Sequence, residues 1–334
     1  MKKKWLILSS MLLGCCALSY LLFSKYSKKN QMQRSHLCIQ GSYFQPIKIT
    51  KFISHIPCVD IRIEEKITTA EVDLGFDGNM SLPGAFIENL IDKSFVQHFS
   101  YFGMRGKKYE SAVYELSKIK IGELVLREGY VQENNPEFDR DGILLRDEKL
   151  SYDDTLGRIG WRLFHNLNFF LDCDHSLIAF CDSLDTLKKK GYPTDAFIEV
   201  PFHLDRGFIE FEATTPSGPI RCMLDTGCTW NMLNKDLEAG CNDHMIYNRK
   251  TIDQHGILNP TNSDQMIFNP EDVYDMPRFK IGKQDFGTVS FQKVKIPFDI
   301  EAVIGMDFLD SMLVFIDFPN RKIYFYEQPY TDSG

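Results

Sequence analysis

The chain has 334 residues, of which 43% are apolar and 25% are charged. This balance is typical of folded proteins and excludes a chain that is disordered throughout, while the length suits two modest domains better than one. The net charge of −8 argues against a general nucleic-acid binder, which usually carries a basic surplus.

The chain begins with an apolar segment that is long enough to cross a membrane. Residues 5–23 are 19 uncharged residues, with lysines before and after them. Because about 20 apolar residues span a bilayer as a helix, residues 1–35 are predicted to form a single-pass anchor, with the body periplasmic or extracellular. A cleaved signal peptide and a lipoprotein box at residues 12–15, lipidated at Cys15, stay open as alternatives.

The segments after the anchor mostly show the pattern of β-strands, with a few short helices. In chain order, we predict a helix over residues 83–95, a short helix over 160–164, an inter-domain linker over 182–195, strands over 197–200, 208–211 and 220–224, a short helix over 305–309, and two strands over 313–318 and 322–326. The linker would join a first domain of residues 36–190 to a second of residues 191–334.

An internal repeat relates the two halves of the chain. Asp73-Leu74-Gly75 and Asp225-Thr226-Gly227 each follow an apolar stretch, and an Asn-Met pair begins six residues after each Asp. Further matches follow in the same order, namely Lys120-Ile121-Gly122 with Lys280-Ile281-Gly282, Ile159-Gly160 with Ile304-Gly305, and Phe170-Leu171-Asp172 with Phe315-Ile316-Asp317. Ordered matches of this kind indicate that the two halves share one fold.

The second copy carries the more specific motif. An apolar strand that ends in Asp225-Thr226-Gly227, followed downstream by Ile304-Gly305, resembles the signature of retropepsin-like aspartic peptidases. The resemblance covers residues 196–326, and two such copies in one chain are similar to the pepsin-like arrangement. It implies a mainly β fold of two similar β-barrel lobes around a central cleft, with short helices.

The resemblance also implies which residues form the site. Asp225 and Asp73 would be the catalytic pair, one from each lobe. The loops that carry them would be supported by Thr226, Gly227, Gly75 and Thr229. The family also has a flap above the cleft; a hairpin over residues 98–114 would be either this flap, with Tyr101 as its candidate residue, or an ordinary surface hairpin.

The implied chemistry is peptide hydrolysis by a water held between two carboxylates. Like charges about 3 Å apart do not both ionise, so the pair shares one proton, and its titration belongs to the pair rather than to either Asp. No metal or organic cofactor is expected, and the partner is a peptide or protein substrate rather than a nucleic acid. Since one chain supplies both Asp residues, we expect a monomer.

The first copy departs from the motif at Leu74, which offers no hydroxyl where Thr226 does, and Phe76 and Asp77 replace small residues. Two alternatives therefore stay open: a catalytically degenerate peptide-binding or envelope-structural protein of the same fold, and a second lobe that pairs with another chain. Residues 137–148 imitate a calcium loop, but a solvated acidic insertion is the better interpretation. The cysteines beyond the anchor are predicted to be mostly buried thiols.

Overall fold

The structure is a computed structural model that describes residues 44–53, 55–102, 108–134, 156–205, 207–234, 246–247, 273–294, 296 and 299–328. They belong to one compact unit, His36–Gly334. The predicted anchor and the calcium-like segment 137–148 lie outside these residues. Within the described residues, no helix has the length and apolar character that a membrane crossing requires.

The described part of the chain is mainly β, as predicted, and its helices are short. The helices are α1 Gly84–Glu88, α2 Leu184–Lys189 and α3 Met306–Leu309, with single 3-10 turns at Trp161–Leu163 and Thr194–Ala196. The strands are β1 Phe44–Lys48, β2 Lys51–Ile53, β3 Ile56–Ile63, β4 Lys66–Asp73, β5 Met80–Pro83, β6 Lys93–Phe102, β7 Lys108–Ile121, β8 Leu124–Asn134, β9 Leu156–Gly160, β10 Asn168–Asp172, β11 Leu177–Cys181, β12 Ile198–Pro201, β13 His203–Asp205, β14 Phe208–Thr215, β15 Gly218–Leu224, β16 Met232–Asn234, β17 Ile246–Tyr247, β18 Val273–Met276, β19 Lys280–Ile281, β20 Gln284–Asp285, β21 Val289–Val294, β22 Ala302–Ile304, β23 Met312–Asp317 and β24 Lys322–Glu327.

The strands form three sheets, two of which define the lobes. The first lobe is the sheet β2-β3-β4-β9-β5-β8-β7-β6, which also pairs β3 with β7 and so curls towards a barrel. The second lobe is the sheet β17-β18-β21-β16-β22-β15-β14-β19-β20, with β13 beside β14. The third sheet, β1-β11-β10-β23-β24-β12, takes three strands from each half of the chain and joins the lobes.

The joining sheet shows how the two copies are related. Its central strands β10 and β23 are antiparallel, and Phe170 lies directly opposite Phe315. These residues are equivalent in the sequence repeat, since each follows its Ile-Gly glycine by ten positions. Equivalent residues face each other only where a two-fold axis passes between them. The two copies of the repeat are therefore related by an approximate two-fold axis in the fold.

Each lobe places its Asp-bearing strand beside the strand that ends in Ile-Gly. In the first lobe β4 runs parallel to β9, with Asp73 opposite Gly160. In the second, β15 runs parallel to β22, with Leu224 opposite Ile304. The repeated Gly122 and Gly282 also adopt the same left-handed conformation, with φ of 58° at both. Both lobes therefore build the same local frame around their Asp.

The glycines of the two Ile-Gly pairs are required for space. A β-carbon on Gly160 would lie 2.3 Å from the carbonyl oxygen of Gly78 and 2.4 Å from that of Phe76. A β-carbon on Gly305 would meet the equivalent oxygens of Trp230 and Cys228 at 2.5 and 2.6 Å. Backbone oxygens leave no room at such distances, so any larger residue would displace the loop that follows the Asp.

The expected helix over residues 83–95 is wrong beyond residue 88. The side-chain amide of Asn89 donates to the Ala85 carbonyl at 2.7 Å and ends α1. The carboxylate of Glu64 then accepts the backbone N–H groups of Ile91 and Asp92, both at 2.8 Å. These contacts hold the chain extended where the apolar spacing alone suggested another helical turn, and Ile91 is left 90% exposed.

The predicted hairpin over residues 98–114 is part of a longer one. Strands β6 and β7 pair antiparallel, with Tyr101 opposite Tyr109. The tip, residues 103–107, and the side chain of Tyr101 lie outside the described part of the structure. The five described cysteines are buried free thiols: Cys58, Cys173, Cys181, Cys222 and Cys228.

We predict that Gly305→Ala lowers the free energy of unfolding by about 1–3 kcal/mol or more, because overpacking against backbone cannot be relieved by a rotamer change. Urea denaturation measures this loss. Gly287→Ala is the matched control, since Gly287 has φ of 72° but open space around it. Gly305 itself has φ of −100°, which Ala adopts readily, so only the lack of space is costly there, whereas Gly287→Ala measures the cost of a positive φ without a clash. A loss at Gly305 that does not exceed the loss at Gly287 would contradict the requirement for space.

Candidate active site

Two equivalent turns carry the Asp residues, which we call the first elbow (Asp73-Leu74-Gly75) and the second elbow (Asp225-Thr226-Gly227). In the first, the N–H of Phe76 donates to the Asp73 carbonyl at 3.2 Å, and in the second the N–H of Cys228 donates to the Asp225 carbonyl at 3.3 Å. The two turns thus close in the same way after strands β4 and β15.

The structure brings the two elbows face to face. A β-carbon on Gly75 would lie 2.4 Å from Asp225 Cγ, and one on Gly227 would lie 2.3 Å from Asp73 Cγ. Each carboxyl group therefore sits against the glycine of the opposite elbow. Neither glycine has a positive φ, so both are needed for this close approach and not for a left-handed turn.

The two carboxyl groups interact directly, and this changes the titration of Asp225. Burial raises the pKa of Asp225 well above its usual range, and the negative charge of Asp73 and a hydrogen bond with it raise the pKa further. The N–H of Gly227, which donates to Asp225 Oδ1 at 2.8 Å, and the charge of Arg158 lower the pKa by less. Asp225 therefore keeps its proton over a range in which an isolated Asp has lost its own.

Thr226 links the second elbow to the first. Its hydroxyl donates to the Val72 carbonyl at 2.6 Å and accepts the N–H of Leu74 at 3.0 Å. Leu74 occupies the equivalent place in the first elbow, is fully buried and has no hydroxyl to offer in return. One half of the reciprocal bonding between the elbows is thus present and the other half is missing.

The second elbow is also bonded to the segment after the Ile-Gly pair. The carbonyl of Thr229 accepts the N–H of Asp307 at 2.9 Å, and that of Cys228 accepts the N–H of Met306 at 2.8 Å. The side-chain oxygen of Asn231 accepts the N–H of Gly305 at 3.0 Å. Thr229 therefore contributes its backbone to the site. Asn231 also supports the second elbow; it belongs to the repeated Asn-Met pair, whose role could not be assigned from the sequence.

Sequence reasoning missed the cation that lies beside the first elbow. Arg158 Nε is 3.1 Å from Asp73 Oδ2 and 3.7 Å from Glu71 Oε2, and its guanidinium lies 5.8 Å from the centre of the Phe76 ring. The repeat carried a signal for it, because Arg158 precedes Ile159-Gly160 where the apolar Val303 precedes Ile304-Gly305.

The acid at position 77 has a partner of its own. The carboxylate of Asp77 forms an ion pair with the guanidinium of Arg162, and it packs so closely on Gly207 that a β-carbon there would be 2.3 Å from Asp77 Cγ. Among the described residues, no group of three or more His, Cys, Asp or Glu side chains is arranged to hold a metal ion.

The comparisons with known proteins show the fold. No protein-family model and no curated protein matches the sequence. Among solved structures, the aspartic proteinase from Irpex lacteus is similar over 87% of this chain and 99% of its own, with a TM-score of 0.53 and 14% identity. Basic 7S globulin from soybean is similar over 84% of this chain and 94% of its own, with a TM-score of 0.50 and 11% identity. The chain thus has the fold of the pepsin-like aspartic proteinases.

We predict that Thr226→Val lowers the free energy of unfolding by about 1–3 kcal/mol, because it keeps the shape of the side chain but leaves a buried N–H and a buried C=O without their partner. Thr226→Ser retains the hydroxyl and is expected to keep most of the stability. Urea denaturation of the two variants makes the comparison, and equal stabilities would contradict a structural role for the hydroxyl.

Proposed function

We propose that the chain is an aspartic endopeptidase, with Asp73 and Asp225 as its catalytic pair. One observation carries the proposal: each carboxyl group is seated against the glycine of the opposite elbow, so the two carboxyl groups lie face to face. The charge of Asp73 raises the pKa of Asp225 accordingly. Two carboxyl groups that share one proton form an acid and a base in a single site.

The pair supports hydrolysis without a covalent intermediate. The ionised carboxylate takes a proton from a water whose oxygen attacks the peptide carbonyl carbon, and the protonated carboxyl gives its proton to the carbonyl oxygen. In the second step the new carboxylic acid protonates the amide nitrogen, while the new carboxylate takes a hydroxyl proton back. The C–N bond breaks, an acid and an amine leave, and the pair returns to its starting state.

The lobes suit a substrate in an extended conformation. The site lies where the elbows of two β lobes meet, and extended peptides bind beside sheets by adding a strand. We propose that the β6–β7 hairpin covers the bound peptide as a flap, with Tyr101 as its candidate contact. Its position in the chain between β5 and β8, which both belong to the sheet that carries Asp73, supports this assignment.

A catalytically degenerate binding protein of the same fold is the second candidate. Two observations favour it. Leu74 is buried and offers no hydroxyl to the second elbow, and Arg158 pairs with the carboxylate of Asp73 at 3.1 Å, which could hold that group away from catalysis. Against it, Thr226 keeps both of its bonds to the first elbow.

The apolar run of residues 5–23 indicates where in the cell the chain acts. Its 19 uncharged residues are long enough to span a bilayer, so we propose that the chain is tethered by one N-terminal helix with its catalytic body outside the cytoplasm.

We predict that the full chain cleaves peptides of a mixed library at acidic to neutral pH, and that Asp225→Asn and Asp73→Asn each lower the cleavage rate about a thousandfold or more, because each removes one of the two proton-transfer groups. Mass spectrometry of the products gives the rates. Asp174→Asn, at an exposed position in the β10–β11 turn, is the control and is expected to cleave at the wild-type rate. A folded wild type that cleaves nothing would favour the binding protein.

We predict that the full chain stays with membranes after a carbonate wash, whereas a chain that begins at residue 36 does not, because the wash removes proteins that lack an inserted segment. Immunoblotting of the membrane and soluble fractions measures both. A mature protein that starts near residue 24 would contradict the anchor and favour a cleaved signal peptide, and one that starts at Cys15 would favour the lipoprotein.

A further inference from the structure

A charged pair lies beneath the first elbow at a position where the second lobe is apolar. Glu71 on β4 is directly opposite Arg158 on β9, and Ser81 on β5 is opposite Arg158 on its other side. Neighbouring side chains in such registers point to the same face of the sheet. Glu71, Arg158 and Ser81 therefore form one polar row below Asp73, which is two residues from Glu71.

The second lobe has apolar residues in the same row. Met223 on β15 is opposite Val303 on β22, and Met232 on β16 is opposite Val303 on its other side. All three belong to one apolar cluster. The two lobes therefore differ in the residues that lie beneath their elbows. The first lobe has Glu71 and Arg158 where the second lobe has the apolar pair Met223 and Val303.

Because Glu71 is buried, its presence in the first lobe depends on Arg158. Glu71 is only 4% exposed, and an ionised carboxylate at such a site is costly unless a cation accompanies it. Arg158 is that cation, and its side chain retains 27% exposure. A buried ion pair is a poor means of stabilising a sheet compared with packed apolar residues, so its place under a catalytic Asp requires a reason other than packing.

The geometry of Arg158 supplies the reason. Its Nε is closer to Asp73 Oδ2, at 3.1 Å, than to Glu71 Oε2, at 3.7 Å. An opposite charge at this range favours the ionised form of a carboxyl group. Asp225 lies beyond Asp73, and its strongest influences are burial and the charge of Asp73, both of which favour its neutral form.

We propose that Arg158, held in place by Glu71, is a positioning residue that fixes the negative charge of the catalytic pair on Asp73. Asp73 is then the base that takes the proton from the attacking water, and Asp225 is the acid that protonates the peptide carbonyl. This inference rests on the proposed function for its catalytic meaning, whereas the distribution of charge in the pair is a property of the folded chain without substrate.

The groups that face Arg158 set the expected signs. Among the described residues they include Glu71 and Asp73 from β4, Asp225 from the second elbow and the Phe76 ring, while Ser81 from β5 is uncharged. Arg162, nearby in the chain, is paired with Asp77. Removing the charge of Arg158 destabilises the carboxylate of Asp73, so the pair should hold its protons to higher pH. Removing the charge of Glu71 leaves Arg158 to act on Asp73 alone, so the pair should lose its protons at lower pH.

The test follows the carboxyl carbons of the pair by NMR in the full chain labelled with ¹³C at Asp, together with the pH profile of kcat/KM. Asp73→Asn and Asp225→Asn assign the signals. Arg158→Met is expected to move the titration and the acidic limb of the profile upward by about one pH unit, and Glu71→Gln is expected to move both downward. Arg162→Met removes the same charge from the same lobe and is expected to move neither.

Arg158→Met could fail to fold because it leaves Glu71 buried and unpaired. The double variant Glu71→Met/Arg158→Val restores the apolar pair of the second lobe, and its titration is expected to lie above that of the wild type. Unchanged titration in a folded double variant would overturn the inference, as would single variants that shift in the same direction. If the titration shifts as expected but the chain cleaves no peptide, the charge assignment is supported and the peptidase activity is rejected. If the chain cleaves peptides but the variants leave the titration and the pH profile unchanged, the activity is supported and the charge assignment is rejected.

Discussion

The reciprocal seating of two carboxyl groups on two glycines is the constraint on which the rest of the site depends. Asp225 lies where a side chain on Gly75 would be, and Asp73 lies where a side chain on Gly227 would be. The contact is possible only if both elbows are placed to within a fraction of an ångström, because interiors are packed too closely to absorb larger errors. Much of the surrounding fold serves this placement.

Three features of the fold position the elbows. Each Asp lies at the end of a strand that pairs in parallel with the strand leading to the Ile-Gly glycine. Because Gly160 and Gly305 have no side chain, the loop after each Asp can pack directly on their backbone. The joining sheet relates the two frames, since Phe170 and Phe315 face each other at its centre. The hydroxyl of Thr226 then ties one elbow to the other. A rigid scaffold of strands can hold such a constellation more accurately than loops can.

The repeat made the pairing of Asp73 with Asp225 predictable, because ordered matches imply two copies of one frame and a single chain must arrange them around an axis. The missing hydroxyl at Leu74 was predictable for the same reason. The role of Arg158 was not predictable, although the repeat aligns it with Val303. A charged residue at this position has no evident meaning until the neighbouring strand is known. The end of α1 was also missed, since Glu64, which is distant in sequence, holds the chain extended.

The two lobes differ in the surroundings of their Asp residues, and the difference bears on where the pair of carboxyl groups holds its proton. The second elbow keeps the hydroxyl and has apolar residues beneath it, and burial together with the negative charge of Asp73 favours the protonated form of the Asp225 carboxyl group. The first elbow has no hydroxyl, and the guanidinium of Arg158 lies beside its carboxylate. In a symmetric dimer of one lobe the two Asp residues would be equivalent, and the position of the proton would be undetermined. Duplication within one chain removes that equivalence, because each copy can change the surroundings of its own carboxyl group without changing those of the other.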